Sequence, residues 1–233
     1  MTLLVGTPSA GLPDCGDIEV RLLAGPLCGG KFNLAGRVVH TEEGGVCGDG
    51  ACLTDPEAIE SLVQRTVRSS GCVDLTQLCI ERGRSAWRLK VGLTVLNHDG
   101  NIIDAAFLSA VAALADVRLP RTRVERDGVV RTVPSPNPEA CSEGGSRLLL
   151  KKIPVPLTVG LFEEKMIVDP TSEEEMVCQG CVTAFVNTVG ELMGLTKLGE
   201  TTLKAQKLAV CVRLAIGRAR ELEEILLAEQ NMN

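Results

Sequence analysis

Residues 86–115 constrain the fold more than any other stretch of the chain. From Ala86 to Asn97 apolar and polar residues alternate, with Trp87, Leu89, Val91, Leu93 and Val95 on one face and Arg88, Lys90 and Thr94 on the other. That is the period of a half-buried β-strand. His98-Asp99-Gly100-Asn101 supplies turn chemistry, and Ile102 to Leu114 then runs on without a breaker, rich in alanine and leucine. A helix with so little polar surface has to be buried on a sheet. The stretch reads as strand, turn and buried helix, so the chain needs a sheet large enough to cover that helix.

The rest of the chain supplies one. Thr2-Leu3-Leu4-Val5 reads as a strand. Gly36 to Asp55 is glycine-rich and loop-like, and Asp55-Pro56 opens a helix over about residues 56–70 in which Ile59, Leu62, Val63 and Val67 recur at helical spacing before a Gly71 cap. Arg123 to Arg126 and Val129 to Val133 flank Asp127-Gly128, a short hairpin signal. Residues 134–146 carry three prolines with Ser, Asn and Gly and read as an exposed, mobile loop. Leu157 to Phe162 and Met166 to Val168 flank Glu163-Glu164, and Val177 to Asn187 pairs with Glu191 to Lys197 across Val189-Gly190. Thr201 or Thr202 caps a final helix with Leu208, Cys211, Ala215, Leu222 and Leu226 on one face. The expected architecture is α+β, a mostly antiparallel sheet backed by helices, in one domain over residues 1–233.

Composition narrows the function. The 233 residues carry 24 Lys and Arg against 30 Asp and Glu, a net charge of −6, so nucleic acid is not wrapped electrostatically and any contact with it is local. No apolar run reaches the roughly 20 residues of a membrane span, and Met1 to Pro13 lacks the pattern of a signal peptide. Ten cysteines are too dilute for a disulfide scaffold. Cys178 and Cys181 have metal-ligand or redox spacing, with Cys47 and Cys52 available to complete a zinc site, but their place at the start of an apolar strand favours small core residues. No metal or cofactor is assigned. His40 and His98 lie in no signature of a nucleophilic hydrolase. Asp169 with Glu173, Glu174 and Glu175 is either a hard-cation site or a solvated helix start, and the second reading needs no ligand.

Four strings carry a resemblance. PLCGGKF (26–32), QLCIERGRSAW (77–87), LNHDGNIIDAAFLSAVAAL (96–114) and IVDPTSEEE (167–175) resemble segments of the ribonuclease PH-like family. Within it they are most similar to the ring subunits of the eukaryotic exosome, the component eight type first and component nine as its competitor. The family normally has further strands and a helix ahead of the segment matching Thr2 to Val5, so the resemblance implies an incomplete start.

The resemblance also implies a chemistry. Active relatives hold inorganic phosphate at a GGTRTA-type turn, where amides, a hydroxyl and a guanidinium converge. The corresponding Asp99 to Ala105 carries Ile and Asp where threonine and arginine are needed. It therefore implies a non-catalytic structural subunit of a six-membered exosome ring, supporting 3′-to-5′ RNA processing. Partners would be other ring subunits, cap subunits and associated nucleases, with RNA in a central channel, in the nucleus, nucleolus and cytoplasm. Lys31 and Arg37 fall where active relatives contact RNA or phosphate, and Arg82, Arg84 and Arg88 form a second basic group around the strand start that faces either RNA or solvent. The alternative is an active phosphate-dependent exoribonuclease using Asp99, Asp104 and Asp169. A third reading is a thiol or zinc protein built on Cys178 and Cys181.

Overall fold

The computed structural model describes residues 2–8, 12, 14–24, 56–133, 145–199 and 201–231. In chain order these form β1 (Thr2–Gly6), β2 (Asp17–Ala24), α1 (Pro56–Ser69), β3 (Cys79–Glu81), β4 (Ser85–Val95), α2 (Ile102–Ala115), β5 (Arg118–Leu119), β6 (Thr122–Val124), β7 (Val130–Thr132), β8 (Ser146–Arg147), β9 (Pro154–Phe162), β10 (Lys165–Val168), α3 (Ser172–Val177), β11 (Gly180–Asn187), β12 (Leu192–Gly199) and α4 (Ala205–Asn231).

Two four-stranded sheets carry the fold. In the first, β4 is central, antiparallel to β1 and β3 and parallel to β2. Its alternation is real: Trp87, Leu89, Val91 and Leu93 are buried, while Arg88 and Lys90 lie on the outer face opposite Asp17 and Glu19 of β2. The far edge of β2 is closed by α1. Val20 N–H donates to Gln64 Oε1 (3.4 Å), Leu22 N–H donates to Glu60 Oε2 (3.0 Å), and the Arg68 guanidinium donates to the Ile18 carbonyl (2.8 and 3.1 Å). Side chains from a helix thus satisfy an edge that would otherwise offer itself to another strand.

The second sheet runs β10-β9-β11-β12, all antiparallel. Its central strands β9 and β11 are buried on both faces because α2 covers one side and α4 the other. Cys181 and Phe185 turn toward α2. Leu157, Val159, Ala184 and Val186 turn toward Cys211 and Ala215 of α4.

Helix α2 is the wedge between the two sheets. Ile102, Ile103, Ala106, Phe107, Ala110, Val111 and Leu114 are buried at helical spacing, and their cluster joins β4, α1 and β11 in one core. Phe107 meets Phe185 with ring centroids 4.9 Å apart at 58°, a tilted pair that ties α2 to β11 of the second sheet.

Several expectations shift. The loop expected over 134–146 lies outside the described residues for 134–144, and Ser146 is paired, in β8 against Leu119. Val177 ends helix α3 rather than opening a strand, because Thr171 and Glu174 form a capping box that holds 172–177 in a helical turn. The final helix starts at Ala205, and Thr201 does not cap it: its hydroxyl donates to the Gln179 carbonyl (3.2 Å). Leu226 lies outside the residues whose side chains are described, while Cys211, Ala215 and Ala219 are buried on the expected face.

Truncating Phe107 removes the ring-on-ring bridge from α2 to the second sheet. Phe107→Ala is expected to cost about 3–5 kcal/mol in urea unfolding, and Phe107→Leu clearly less; equal losses for the two would place the bridge elsewhere.

Candidate functional site

The turn between β4 and α2 meets the segment between β10 and α3. Gly100 has φ +92°, and a Cβ there would strike the Pro170 carbonyl and the backbone of Thr171 and Ser172, so only glycine admits the approach. Asn101 (φ +45°) and Asp169 (φ +55°) both adopt the left-handed region, which asparagine and aspartate tolerate better than other residues with a Cβ. The two face each other, with Asn101 Nδ2 donating to Asp169 Oδ1 at 2.5 Å. Around this contact Ser172 donates to Asp99 (3.1 Å), and Gly100 N–H donates to His98 Nδ1 (3.1 Å).

Three carboxylates from two parts of the chain converge here. Glu175 Oε1 accepts the Asn101 backbone N–H (2.8 Å), Asp104 Oδ2 accepts from Asn101 Nδ2 (3.0 Å), and Asp104 also accepts from Thr158 N–H (3.0 Å) and Thr158 Oγ1 (2.7 Å). Thr158 points at α2 because strand alternation sends Leu157 and Val159 to α4, and its hydroxyl also meets Thr183 Oγ1 at 2.8 Å. Asn101 Oδ1 is buried without a hydrogen-bond partner among the described residues.

The electrostatics are one-signed. Burial pushes the Asp104 carboxyl up, outweighing the hydrogen bonds from Thr158 and Asn101, and the neighbouring Asp169 pushes it further. Burial also raises Glu175. Among the described residues no group of three His, Cys, Asp or Glu side chains is placed to hold a metal ion. Cys178 and Cys181 are buried, and burial pushes the Cys181 thiol up to about 12, which keeps it protonated and unreactive.

The helix-start amide that would face an anion is therefore taken by the protein's own Glu175. Ile102 and Ile103 are 6% and 2% exposed, packed into the core rather than offered to a ligand. The acidic cluster is a helix start, as expected, but Glu175 is half-buried rather than fully solvated: it is the group that meets the α2 terminus. Sequence reasoning missed that role, and the signal was its spacing, three residues past Ser172, which puts both on the side of α3 that meets the turn.

The expected RNA contacts lie elsewhere. Lys31 and Arg37 are outside the described residues, as are His40, Cys47 and Cys52. Arg82 and Arg84 sit on the β3–β4 turn, exposed, and each is ion-paired, Arg82 with Asp14 (2.8 Å) and Arg84 with Glu81 (3.1 Å). They precede β4, whereas the carboxylate cluster follows it, and the 11 residues of that strand separate the two by about 35 Å.

Comparison with known proteins agrees with this geometry. Residues 7–120 match domain 1 of the 3′ exoribonuclease family (RNase PH) and residues 152–218 match its domain 2. The chain belongs to that family. The exosome complex component Rrp42 of Methanosarcina mazei is 30% identical over 225 residues, 97% of this chain and 73% of that protein. The Rrp42 of Methanosarcina acetivorans is 36% identical over 173 residues, 73% of this chain, which spans only 59% of that relative's length. Among solved structures, an Archaeoglobus fulgidus exosome with RNA bound to the active site aligns at TM-score 0.72 and 25% identity, covering 96% of this chain and 76% of that one.

Two expectations follow for the cluster. Asp104→Ala leaves the buried Thr158 N–H without a partner and is expected to cost about 1–3 kcal/mol, with Asp104→Asn milder. Because the folded pKa of Asp104 lies above its unfolded value, its contribution to stability is complete at pH below the unfolded value near 3.8 and is lost as pH rises through the folded one. Urea titrations from pH 4 upward should show wild-type stability falling more steeply than that of Asp104→Asn; parallel curves would remove Asp104 from the account.

Proposed function

We propose that this chain is a non-catalytic structural subunit of an RNA exosome core ring. The observation that carries the reading is the occupied helix start: Glu175 accepts the Asn101 N–H, and Asp104 and Asp169 add like charge beside it. A phosphate there would lose the amide it needs and meet carboxylates instead of a guanidinium. The catalytic neighbours in the ring would supply the phosphorolytic chemistry, while this subunit holds geometry and partners.

The reading has finer parts. Partners are other ribonuclease PH-like subunits of a six-membered ring, with cap subunits and nucleases attached and RNA in the central channel. The strings PLCGGKF and Val168-Asp169-Pro170-Thr171 favour the component eight type of ring subunit over component nine. Lys31 and Arg37, with Arg82 and Arg84, are the RNA contacts of this reading; the two ion-paired arginines would have to exchange their partners for phosphate. Nucleus, nucleolus and cytoplasm are the compartments where such a ring works.

The test is purification of the tagged chain from its own cells, with subunit identities and native mass, followed by an RNA-shortening assay of the isolated chain with and without inorganic phosphate. A hetero-oligomeric ring of about nine subunits, and no phosphate-dependent shortening by the chain alone, is the expected result. Shortening that requires phosphate would instead establish the active exoribonuclease.

A further inference from the structure

The matched family domains end at residue 120 and resume at 152, and between them lies a feature that the occupied helix start does not involve. Strands β6 and β7 form a two-stranded ribbon apart from both main sheets. Its register sets Arg123 directly opposite Arg131. The neighbouring pair β5–β8 repeats the arrangement, with Arg118 opposite Arg147. Like charges facing each other across an antiparallel pair destabilise it, so two arginine-on-arginine registers within one segment run against the fold's own stability.

Alternation puts Arg121, Arg123 and Arg131 on one face of the ribbon, together with Val129 and Val133, which are 48% and 47% exposed. Glu125 on that face pairs with Arg131 Nε at 2.9 Å. Arg121 and Arg123 make no ion pair among the described residues. Between 118 and 133 the chain has five arginines against two acidic residues and no lysine, in a protein of net charge −6. Arg121 also lines, with Gln77, Trp87, Thr122 and Ser146, a cleft of about 340 Å³ at the base of the ribbon.

We propose that this ribbon is a docking surface for single-stranded RNA, with the facing guanidiniums of Arg123 and Arg131 clamping one backbone phosphate and Arg121 holding the next. The chemistry is specific in three ways. Facing residues on a strand pair stand about 4.5–5.5 Å apart at Cβ, close enough for two planar forks to share one anion. A bound phosphate converts the cross-strand repulsion into attraction, so the register's cost in the free protein is offset in the complex. The chain as a whole carries a net charge of −6, which disfavours a polyanion away from such a basic segment. The proposal rests on reading the chain as an RNA-handling subunit, and it adds a contact outside the family's two domains.

The experiment measures fluorescence anisotropy of a labelled 20-nucleotide oligo(A) on the full chain over a range of salt, alongside thermal unfolding. Arg123→Glu is expected to weaken binding about fivefold or more at low salt and to lower the slope of log K against log salt by about 0.7, the share of one phosphate on a single strand. The same substitution replaces a like-charge pair by an opposite-charge one, so its melting temperature should equal or exceed that of wild type. Arg123→Lys should keep the slope while losing part of the affinity. Unchanged affinity in Arg123→Glu, absence of RNA binding by wild type, or displacement of the RNA by oligoglutamate as readily as by unlabelled oligo(A) each overturns the proposal. Ring assembly is scored separately: an Arg123→Glu chain that enters the ring and binds RNA normally sinks the ribbon alone, whereas a chain that enters no ring but loses RNA on substitution sinks the ring reading alone.

Discussion

Burial of one broad face of α2 against two sheets at once is the constraint from which the rest of the structure follows. A helix whose residues Ile102, Ile103, Ala106, Phe107, Ala110, Val111 and Leu114 are all inside needs apolar surface on more than one side. One sheet cannot provide it. The β4 sheet covers one side and β9–β11 the other, and the second sheet then needs α4 on its far face because β9 and β11 are apolar on both. The layering is the consequence of one helix shared by two sheets, with only a narrow stripe of small residues, Ala105, Ser109 and Ala112, left to solvent.

The same wedge explains the polar cluster. The start of α2 is driven into the junction between the sheets, where its free amide has no water to meet. Glu175 supplies the acceptor, and Asp104, one turn in, is satisfied by Thr158 from the opposite strand. Each polar contact crosses from one half of the chain to the other, so the cluster sets how the halves sit as well as satisfying buried groups. The start of α2 is thereby closed by an internal carboxylate.

Charge is distributed unevenly around this core. The outer face of β4 sets Arg88 and Lys90 against Asp17 and Glu19, and Arg68 joins Asp17, so that face is internally compensated. The β6–β7 ribbon is not: Glu125 answers one of its arginines while Arg123 faces Arg131. A surface that repels itself in the free protein is consistent with a surface shaped for a ligand.

Local pattern determined the elements, and did so where periodicity is strict. The β4 strand, the α2 helix, the 123–133 hairpin and the β9–β10 and β11–β12 hairpins could all be read from spacing and turn residues, because side-chain direction alternates or winds with the backbone whatever lies beyond it. Thr201 read as a cap and Val177 as a strand residue for the same local reasons, and in both cases a distant carbonyl or a capping box outcompeted the local preference. What only the tertiary structure decided is who meets whom. The parallel pairing of β2 with β4, the α1 side chains that close the β2 edge, and the approach of Glu175 to Asn101 across 74 positions are set by packing the two sheets around one helix. Such long-range contacts depend on the position of whole elements in space, and the residue types along the chain carry no record of that.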